Sequence, residues 1–198
     1  MKHLVVATRN KGKIQEITAL LGGLVDHVSC TADYADFPET VEDGATFAEN
    51  ALKKAREAAA FSGLPALADD SGLVVDALGG SPGVFSARFA GDDASDSANN
   101  GKLLSACKDV PEDRRQAAFV CVLAFVTPEG VEQLFTGTVA GRILFEARGE
   151  GGFGYDPLFL VDGFERSMAE LALTEKNAVS HRARAFLKFR EYLERVQT

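Results

Sequence analysis

Apolar residues occur along this chain in short runs and in helical repeats, and polar or glycine-containing loops separate them. Short apolar or alternating runs predict β-strands at residues 3–8, 25–31, 116–126 and 131–144, and at the end of 149–161. Apolar residues with helical spacing predict helices at residues 14–21, 46–62, 95–108 and 180–196. Strands and helices therefore intermix, and hairpins are frequent.

This mixture predicts an α/β fold with a mixed sheet rather than a simple doubly wound sheet. The sequence has no internal repeat, low-complexity segment or clear linker, so we expect a single domain over residues 1–198.

The helix predicted over residues 46–62 contains two neighbouring lysines with different surroundings. Thr46 and Glu49 have the spacing of a capping box at its start. Lys54 falls within the apolar stripe of the helix, whereas Lys53 lies on the opposite, charged face. Lys54 therefore either extends its stem past the edge of the core or points into a cleft and binds phosphate.

Residues 66–78, ALADDSGLVVDAL, form an apolar run interrupted by Asp69 and Asp70. The pattern predicts two short strands around a DDSG turn. One aspartate is enough to support a turn, whereas two adjacent carboxylates between strand-forming runs cost desolvation free energy unless a cation meets them. The segment is therefore either a plain hairpin tip or part of a cation site.

The acidic composition limits the classes of partner. A net charge of −8 argues against non-specific binding to nucleic acid or to an anionic membrane, so an anionic ligand needs a local cationic pocket. Three cysteines without metal-ligand spacing are typical of free thiols in a reducing compartment. Because we find neither a signal peptide nor a membrane-spanning segment, we expect a cytoplasmic protein.

The loop TRNKGK follows the first predicted strand and precedes the first helix. It lacks the spacing of a P-loop, but the start of a helix presents backbone N–H groups that bind anions. Lys11 and Lys13 would add positive charge, and Thr8 and Asn10 can form hydrogen bonds with phosphate. The alternative is a solvated turn with surface lysines.

Carboxylates from two segments indicate a hard metal ion. Glu39, Glu42 and Asp43 precede the helix that contains Lys54, where each can also simply favour the helix start. Together with Asp69 and Asp70, and without cysteine or histidine at ligand spacing, they are typical of a Mg²⁺ site.

Two later segments contain further candidates. GEGGFGYDP combines glycines, which allow close approach of a ligand, with Phe153 and Tyr155, which either stack on a base or anchor a connector. Lys176, His181 and Arg182 surround the start of the last predicted helix, where cations are not expected. Their presence indicates an anionic or carbonyl-rich partner.

Five segments, taken together and in order, resemble the inosine triphosphate pyrophosphatase family, also known as dITP/XTP diphosphatases. The matching segments are TRNKGK, EDGATFAENALKKA, ADDSGLVVDALGGSPGVFSARFAG, GGFGYDPLF and EKNAVSHR, and they cover nearly the whole chain. The resemblance implies an elongated mixed β-sheet flanked by helices, in two lobes with a central cleft. It also implies a homodimer that uses Mg²⁺ to hydrolyse a purine nucleoside triphosphate such as ITP, dITP or XTP to the monophosphate and pyrophosphate.

The resemblance also implies roles for individual residues. Asp70 would be the general base and, with Glu42, a metal ligand. The triphosphate contacts would be Thr8, Arg9, Asn10, Lys11, Gly12, Lys13, Lys54 and Ser71. Phe153 would stack on the purine within the substrate-binding segment that also contains Gly154 and Tyr155. Base recognition would involve Asp156, Lys176, His181 and Arg182.

Two other functions stay open at this point. One is a related pyrophosphatase for modified pyrimidine or methylated nucleotides, against which the SHR and GFGYDP segments argue. The other is a nucleotide-binding module without catalysis, which would gain nothing from paired aspartates unless it used a metal.

Overall fold

The computed structural model of this protein describes residues 1–196, with the backbone alone for Lys11. The strands are β1 His3–Val6, β2 His27–Cys30, β3 Ala66–Val75, β4 Gln116–Val126, β5 Glu132–Ile143 and β6 Phe159–Val161. The helices are α1 Lys11–Leu21, α2 Phe47–Ser62, α3 Asp96–Ala106, α4 Leu173–Val179 and α5 His181–Val196. None of the helices in this range is long and apolar enough to cross a membrane.

Within the described residues, the strands form a six-stranded sheet with the order β2-β1-β3-β4-β5-β6. β1 is parallel to both β2 and β3, whereas β5 is antiparallel to β6, so the sheet is mixed. β4 and β5 are neighbours joined by a short turn at residues 127–131, as the apolar pattern predicted. The predicted α/β fold with a mixed sheet and flanking helices is confirmed.

The chain divides into two compact units, and unit 1 packs helices on both faces of its strands. Unit 1 comprises residues 1–70, residues 121–137 and the chain from Arg182 onward. Leu4 and Leu67 lie on one face, in a buried cluster with residues of α1 and α5. Ala66 and Ala68 lie on the other face, in a cluster with the alanines of α2. Successive strand residues therefore point to different helices.

Unit 2 comprises residues 71–120 and 138–181. Its core combines Leu73 and Val75 of β3 with Leu103 of α3 and with Phe159 of β6. Tyr155 belongs to the same cluster, so the glycine-rich segment is attached to the core of this unit.

β3 is one continuous strand, so the predicted pair of strands around a DDSG turn is wrong. Asp69 and Asp70 lie in the middle of the strand, and both are buried. A strand tolerates them because cations from the helices on its two faces meet the two carboxylates. Lysine and arginine side chains therefore compensate these carboxylates in the absence of the predicted turn.

The region before the last helix also differs from the prediction. α4 is a separate helix that ends at its C-cap Ser180, and Lys176 lies inside it. His181 and Arg182 then begin α5. A helix of seven residues is too short to show a clear apolar period, which explains why the sequence did not predict it.

Candidate functional site

The TRNKGK loop is shaped by its own polar side chains. Asn10 caps α1, because its Oδ1 accepts a hydrogen bond of 3.0 Å from the backbone N–H of Lys13. The Oγ1 of Thr8 accepts a bond of 3.2 Å from the N–H of Asn10. Gly12 lies in the first helical turn, and this turn contains no acidic residue. The start of α1 therefore offers N–H groups and positive charge to an anion.

Arg9 and Lys11 complete this loop. The guanidinium of Arg9 donates a hydrogen bond of 2.7 Å to the carbonyl of Phe37, which attaches the loop to the chain that follows β2. Lys11 is the first residue of α1, and its side chain lies outside the described part of the chain.

Lys54 is the cation that meets Asp70. Its Nζ donates bonds of 2.9 Å to Glu42 and 3.0 Å to Asp70, and its side chain is only 10% exposed. Asn50, one helical turn earlier, donates a further bond of 3.3 Å to the other oxygen of Asp70. Lys54 is therefore buried between two carboxylates rather than extended past the edge of the core.

Lys53 has very different surroundings, as the helical spacing predicted. Its Nζ pairs with the exposed carboxylate of Asp43 at 2.6 Å. Asp43 is thus engaged on the outer side of α2, whereas Glu42 is engaged by Lys54.

Asp69 is held on the opposite face of β3. Its Oδ2 lies 2.9 Å from the Nζ of Lys13 and 3.4 Å from Nη2 of Arg182. Arg182, in turn, donates to the carboxylate of Glu16 in α1. The sequence analysis missed Glu16, because this buried residue lies beside the apolar stripe of α1 rather than within it, so helical spacing gives no signal for it.

The two aspartates differ in their electrostatics. Burial alone would raise the pKa of the Asp69 carboxyl, but Lys13 and Arg182 hold that pKa far below its usual range. Burial raises the pKa of the Asp70 carboxyl above its ordinary value, and Lys54 and Lys13 offset this only in part. Asp69 is therefore a permanent anion, whereas Asp70 is the carboxylate better suited to accept a proton.

The residues predicted to hold a metal fit Mg²⁺ that is shared with a triphosphate. Within residues 1–196, no group of three or more His, Cys, Asp or Glu side chains is arranged to hold a metal ion. Glu42 and Asp70 nevertheless converge on one ammonium, so their oxygens face a common point. Mg²⁺ usually takes one or two carboxylates and completes its shell with water and phosphate oxygens, so these two ligands suffice.

In unit 2, Asp156 organises the glycine-rich segment. Its Oδ2 accepts bonds of 3.0 Å from the N–H of Phe153 and 2.7 Å from Nζ of Lys176. The same Nζ lies 4.6 Å from the centre of the Phe153 ring. Gly152 has a φ of +74°, and a Cβ there would overlap Asp156 Oδ2. Glycine is thus required next to this carboxylate.

The other predicted site residues of unit 2 also have contacts with the rest of the protein. Tyr155 is buried, and its hydroxyl donates a bond of 2.8 Å to the carbonyl of Ser86. The N–H of Gly154 donates a bond of 2.7 Å to Asp96 in the first turn of α3. His181 stacks on Phe119, with ring centres 4.9 Å apart.

The predicted site residues therefore form two groups of side chains. The unit 1 cluster consists of Glu42, Lys54 and Asp70, and the TRNKGK loop belongs to the same unit. The unit 2 cluster consists of Phe153, Asp156 and Lys176, whereas His181, also in unit 2, stacks on Phe119. Arg182 was predicted to recognise the nucleotide base together with Lys176 and His181, but its guanidinium pairs with Glu16 and Asp69 of unit 1. Ser71 follows Asp70 directly in β3.

Comparison with known proteins agrees with the five matching segments. The chain is 58% identical over 193 residues to the dITP/XTP pyrophosphatase of Geobacter sulfurreducens, which covers 98% of this chain and 97% of that protein. It is 53% identical to the dITP/XTP pyrophosphatase of Exiguobacterium sibiricum, with 93% of each chain covered.

Solved structures show the same likeness. The structure of a HAM1 protein from Coxiella burnetii is similar to this one with a TM-score of 0.89 and 41% sequence identity, over 98% of this chain and all of the other (100%). The Ham1 protein of Staphylococcus aureus gives a TM-score of 0.87 at 39% identity, with 98% of each chain covered. A model of the Ham1 family matches residues 4–192, and the chain therefore belongs to the Ham1 family.

Proposed function

We propose that this protein is a Mg²⁺-dependent hydrolase that converts dITP, ITP or XTP to the nucleoside monophosphate and pyrophosphate. The observation that carries this proposal is the arrangement of Glu42, Lys54 and Asp70, in which a proton-accepting carboxylate shares one buried ammonium with a second carboxylate. The high identity to relatives named dITP/XTP pyrophosphatase supports the choice of substrate.

The triphosphate would bind at the start of α1 and at Lys54. The N–H groups of Gly12 and Lys13 belong to the first helical turn, where an anion is favoured. The ammonium groups of Lys11, Lys13 and Lys54 would add positive charge. Arg9, Thr8 and Asn10 hold the loop in shape, and we assign contacts with phosphate to them and to Ser71 as part of the same proposal.

Asp70 would act as the general base in this site. It orients a water molecule, removes its proton and directs the resulting hydroxide at the α-phosphorus, so that the bond to the β-phosphate oxygen breaks and pyrophosphate leaves. Burial raises its pKa, which strengthens it as a proton acceptor. Mg²⁺ held by Glu42 and Asp70 would neutralise charge on the triphosphate. Lys54 would stabilise the negative charge that develops on the phosphate oxygens.

The base would be recognised by the unit 2 cluster, His181 and Arg182. Phe153 offers an aromatic face for stacking. The carboxylate of Asp156 accepts hydrogen bonds from both the backbone N–H of Phe153 and the ammonium of Lys176, and so holds the two residues next to each other. Lysine and arginine side chains only donate hydrogen bonds, and histidine can also donate. Such donors match the 6-keto oxygen of inosine and xanthosine, whereas adenine presents a 6-amino group that also donates.

We also propose that the protein is a cytoplasmic homodimer. Within residues 1–196, Cys30, Cys107 and Cys121 are thiols rather than disulfides, which agrees with a reducing compartment. Phe85 and Phe145 are 56% and 59% exposed, as is common for aromatic residues at a subunit interface. Light scattering on the purified protein would give the mass, and the mass of a monomer would contradict the dimer.

A panel of nucleotides with Mg²⁺ tests the proposed function. Purified protein is incubated with dITP, XTP, dATP, dGTP and a modified pyrimidine nucleoside triphosphate, and pyrophosphate and orthophosphate are measured separately. We expect pyrophosphate from dITP and XTP far faster than from dATP and dGTP, and a loss of activity with EDTA. Binding without turnover would favour a nucleotide-binding module, and preference for a modified pyrimidine nucleotide would favour a related pyrophosphatase.

A further inference from the structure

The carboxylate of Asp69 connects the starts of two helices in unit 1. A single oxygen, Oδ2, lies within 2.9 Å of Lys13 in the first turn of α1 and 3.4 Å of Arg182 in the first turn of α5. The side chain of Asp69 has no solvent exposure (0%), so it acts from inside the protein. Asp69 directly precedes Asp70, the proposed general base, in β3.

Cations are disfavoured at the start of a helix, because the helix dipole is positive there. Lys13 and Arg182 nevertheless occupy such positions, and buried carboxylates compensate both of them. Arg182 bonds to Glu16 as well as to Asp69, and its side chain is 1% exposed. Lys13 differs, because its side chain keeps 17% exposure. Of these two cations, Lys13 is thus the more exposed to a soluble ligand.

The bond to Asp69 uses one of the three donors of the Lys13 ammonium, so the group can bind an anion while Asp69 holds it. Lys13 also acts electrostatically on Asp70, whose carboxylate belongs to the unit 1 cluster.

We propose that Asp69 is a positioning residue for Lys13: it holds the lysine ammonium at the start of α1, ready for the triphosphate. This inference rests on the proposed function, since it assigns Lys13 to the substrate. It explains why β3 contains two adjacent aspartates. Asp70 would take part in the reaction on one face of the strand, and Asp69 would position Lys13 on the other face.

A purely structural role is the competing explanation, since Asp69 also neutralises Arg182 within the buried cluster. The two explanations differ in whether the effect of Asp69 on substrate binding depends on Lys13. A double-mutant cycle measures this dependence directly.

The experiment compares wild-type protein, Asp69→Asn, Lys13→Ala and the double variant. The dissociation constant of dITP with a non-hydrolysable α,β-imido linkage is measured by calorimetry in the presence of Mg²⁺. We expect each single variant to bind about 10- to 100-fold more weakly, as for loss of a hydrogen bond to a charged group. The double variant should then bind within about twofold of Lys13→Ala, because Asp69 has no lysine left to position.

Glu16→Gln is the matched control, because it also removes a buried carboxylate bonded to Arg182 but leaves the bond between Lys13 and Asp69 in place. Its effect on binding should be the same with and without Lys13. Thermal unfolding of every variant shows whether it is folded. If Asp69→Asn is unfolded, Asp69→Glu replaces it, since this variant keeps the charge and shifts the carboxylate by one methylene group.

If Asp69→Asn, or Asp69→Glu in its place, weakens binding by the same factor whether Lys13 is present or has been replaced by alanine, Asp69 has only a structural role and the inference is wrong. The proposed function is tested separately by the wild-type protein. If the wild type binds the analogue and releases pyrophosphate from dITP, the function stands whatever the cycle shows.

Discussion

Asp69 and Asp70 are adjacent in β3, yet their carboxylates bind different cations: Asp69 lies 2.9 Å from Lys13, and Asp70 lies 3.0 Å from Lys54. Because successive side chains of a strand point to opposite faces, the two groups face different helices. Lys13 belongs to α1 and Lys54 to α2. This separation allows one aspartate to be a permanent anion and the other to accept a proton.

The first prediction concerns Asp70. Asp70→Asn keeps the shape of the side chain but removes the proton acceptor, so we expect kcat for dITP to fall by about 10² to 10⁴-fold with Mg²⁺ saturating. The midpoint of thermal unfolding, measured alongside, should show a folded protein. A folded variant with near wild-type kcat would mean that another group is the base.

The second prediction compares the two neighbouring lysines of α2. Lys54→Ala removes the ammonium shared by Glu42 and Asp70, and we expect kcat/KM for dITP to fall by about 10²-fold or more. Lys53→Ala is the matched control, because this lysine pairs with an exposed carboxylate, and kcat/KM should stay within about twofold of wild type. Similar losses from both substitutions would rule out a special role for Lys54.

The third prediction concerns the choice of base. Lys176→Met removes a buried donor beside Phe153, so the ratio of kcat/KM for dITP to that for dATP should fall by about 10-fold or more. Lys13→Ala should lower both values by a similar factor, because the two substrates have the same triphosphate. An unchanged ratio in Lys176→Met would show that this lysine does not read the base.

The fourth prediction concerns stability in alkaline solution. Burial raises the pKa of the Tyr155 hydroxyl, so the unfolded chain loses this proton at lower pH than the folded protein does. The contribution of Tyr155 to stability is complete below the unfolded pKa of about 10 and is lost as pH rises through the folded pKa.

Chemical denaturation of wild type and Tyr155→Phe at several pH values checks this. Their difference in unfolding free energy should be constant from pH 7 to 9. Above about pH 10, the unfolding free energy of the wild type should fall by about 1 kcal/mol per pH unit relative to that of Tyr155→Phe. The comparison below pH 9 is the internal control. A difference that stays constant up to pH 11 would contradict the role of Tyr155 burial.

Local patterns predicted the elements that have strong local signals. Thr46 and Glu49 form the predicted capping box of α2, and β4 spans the predicted apolar run Gln116–Val126. Helical spacing also separated Lys54 from Lys53 correctly, because the burial of a helical side chain follows from its angle around the axis. The DDSG turn was wrong, because a charged pair inside a strand looks like a turn until the partners of its carboxylates are known.

The sequence by itself determined the strands and helices with clear periods, the five ordered segments that indicate the family, and the chemical types of the candidate site residues. Only the tertiary structure decided which charge meets which. Arg182 is 113 residues from Asp69 and 166 residues from Glu16 along the chain, and such pairs leave no period in the sequence. Buried charges must be matched one by one, because each unmatched ion in the interior costs several kcal/mol, roughly. The tertiary structure therefore determines which cation lies next to each of the two adjacent aspartates, and this gives the two carboxylates different properties.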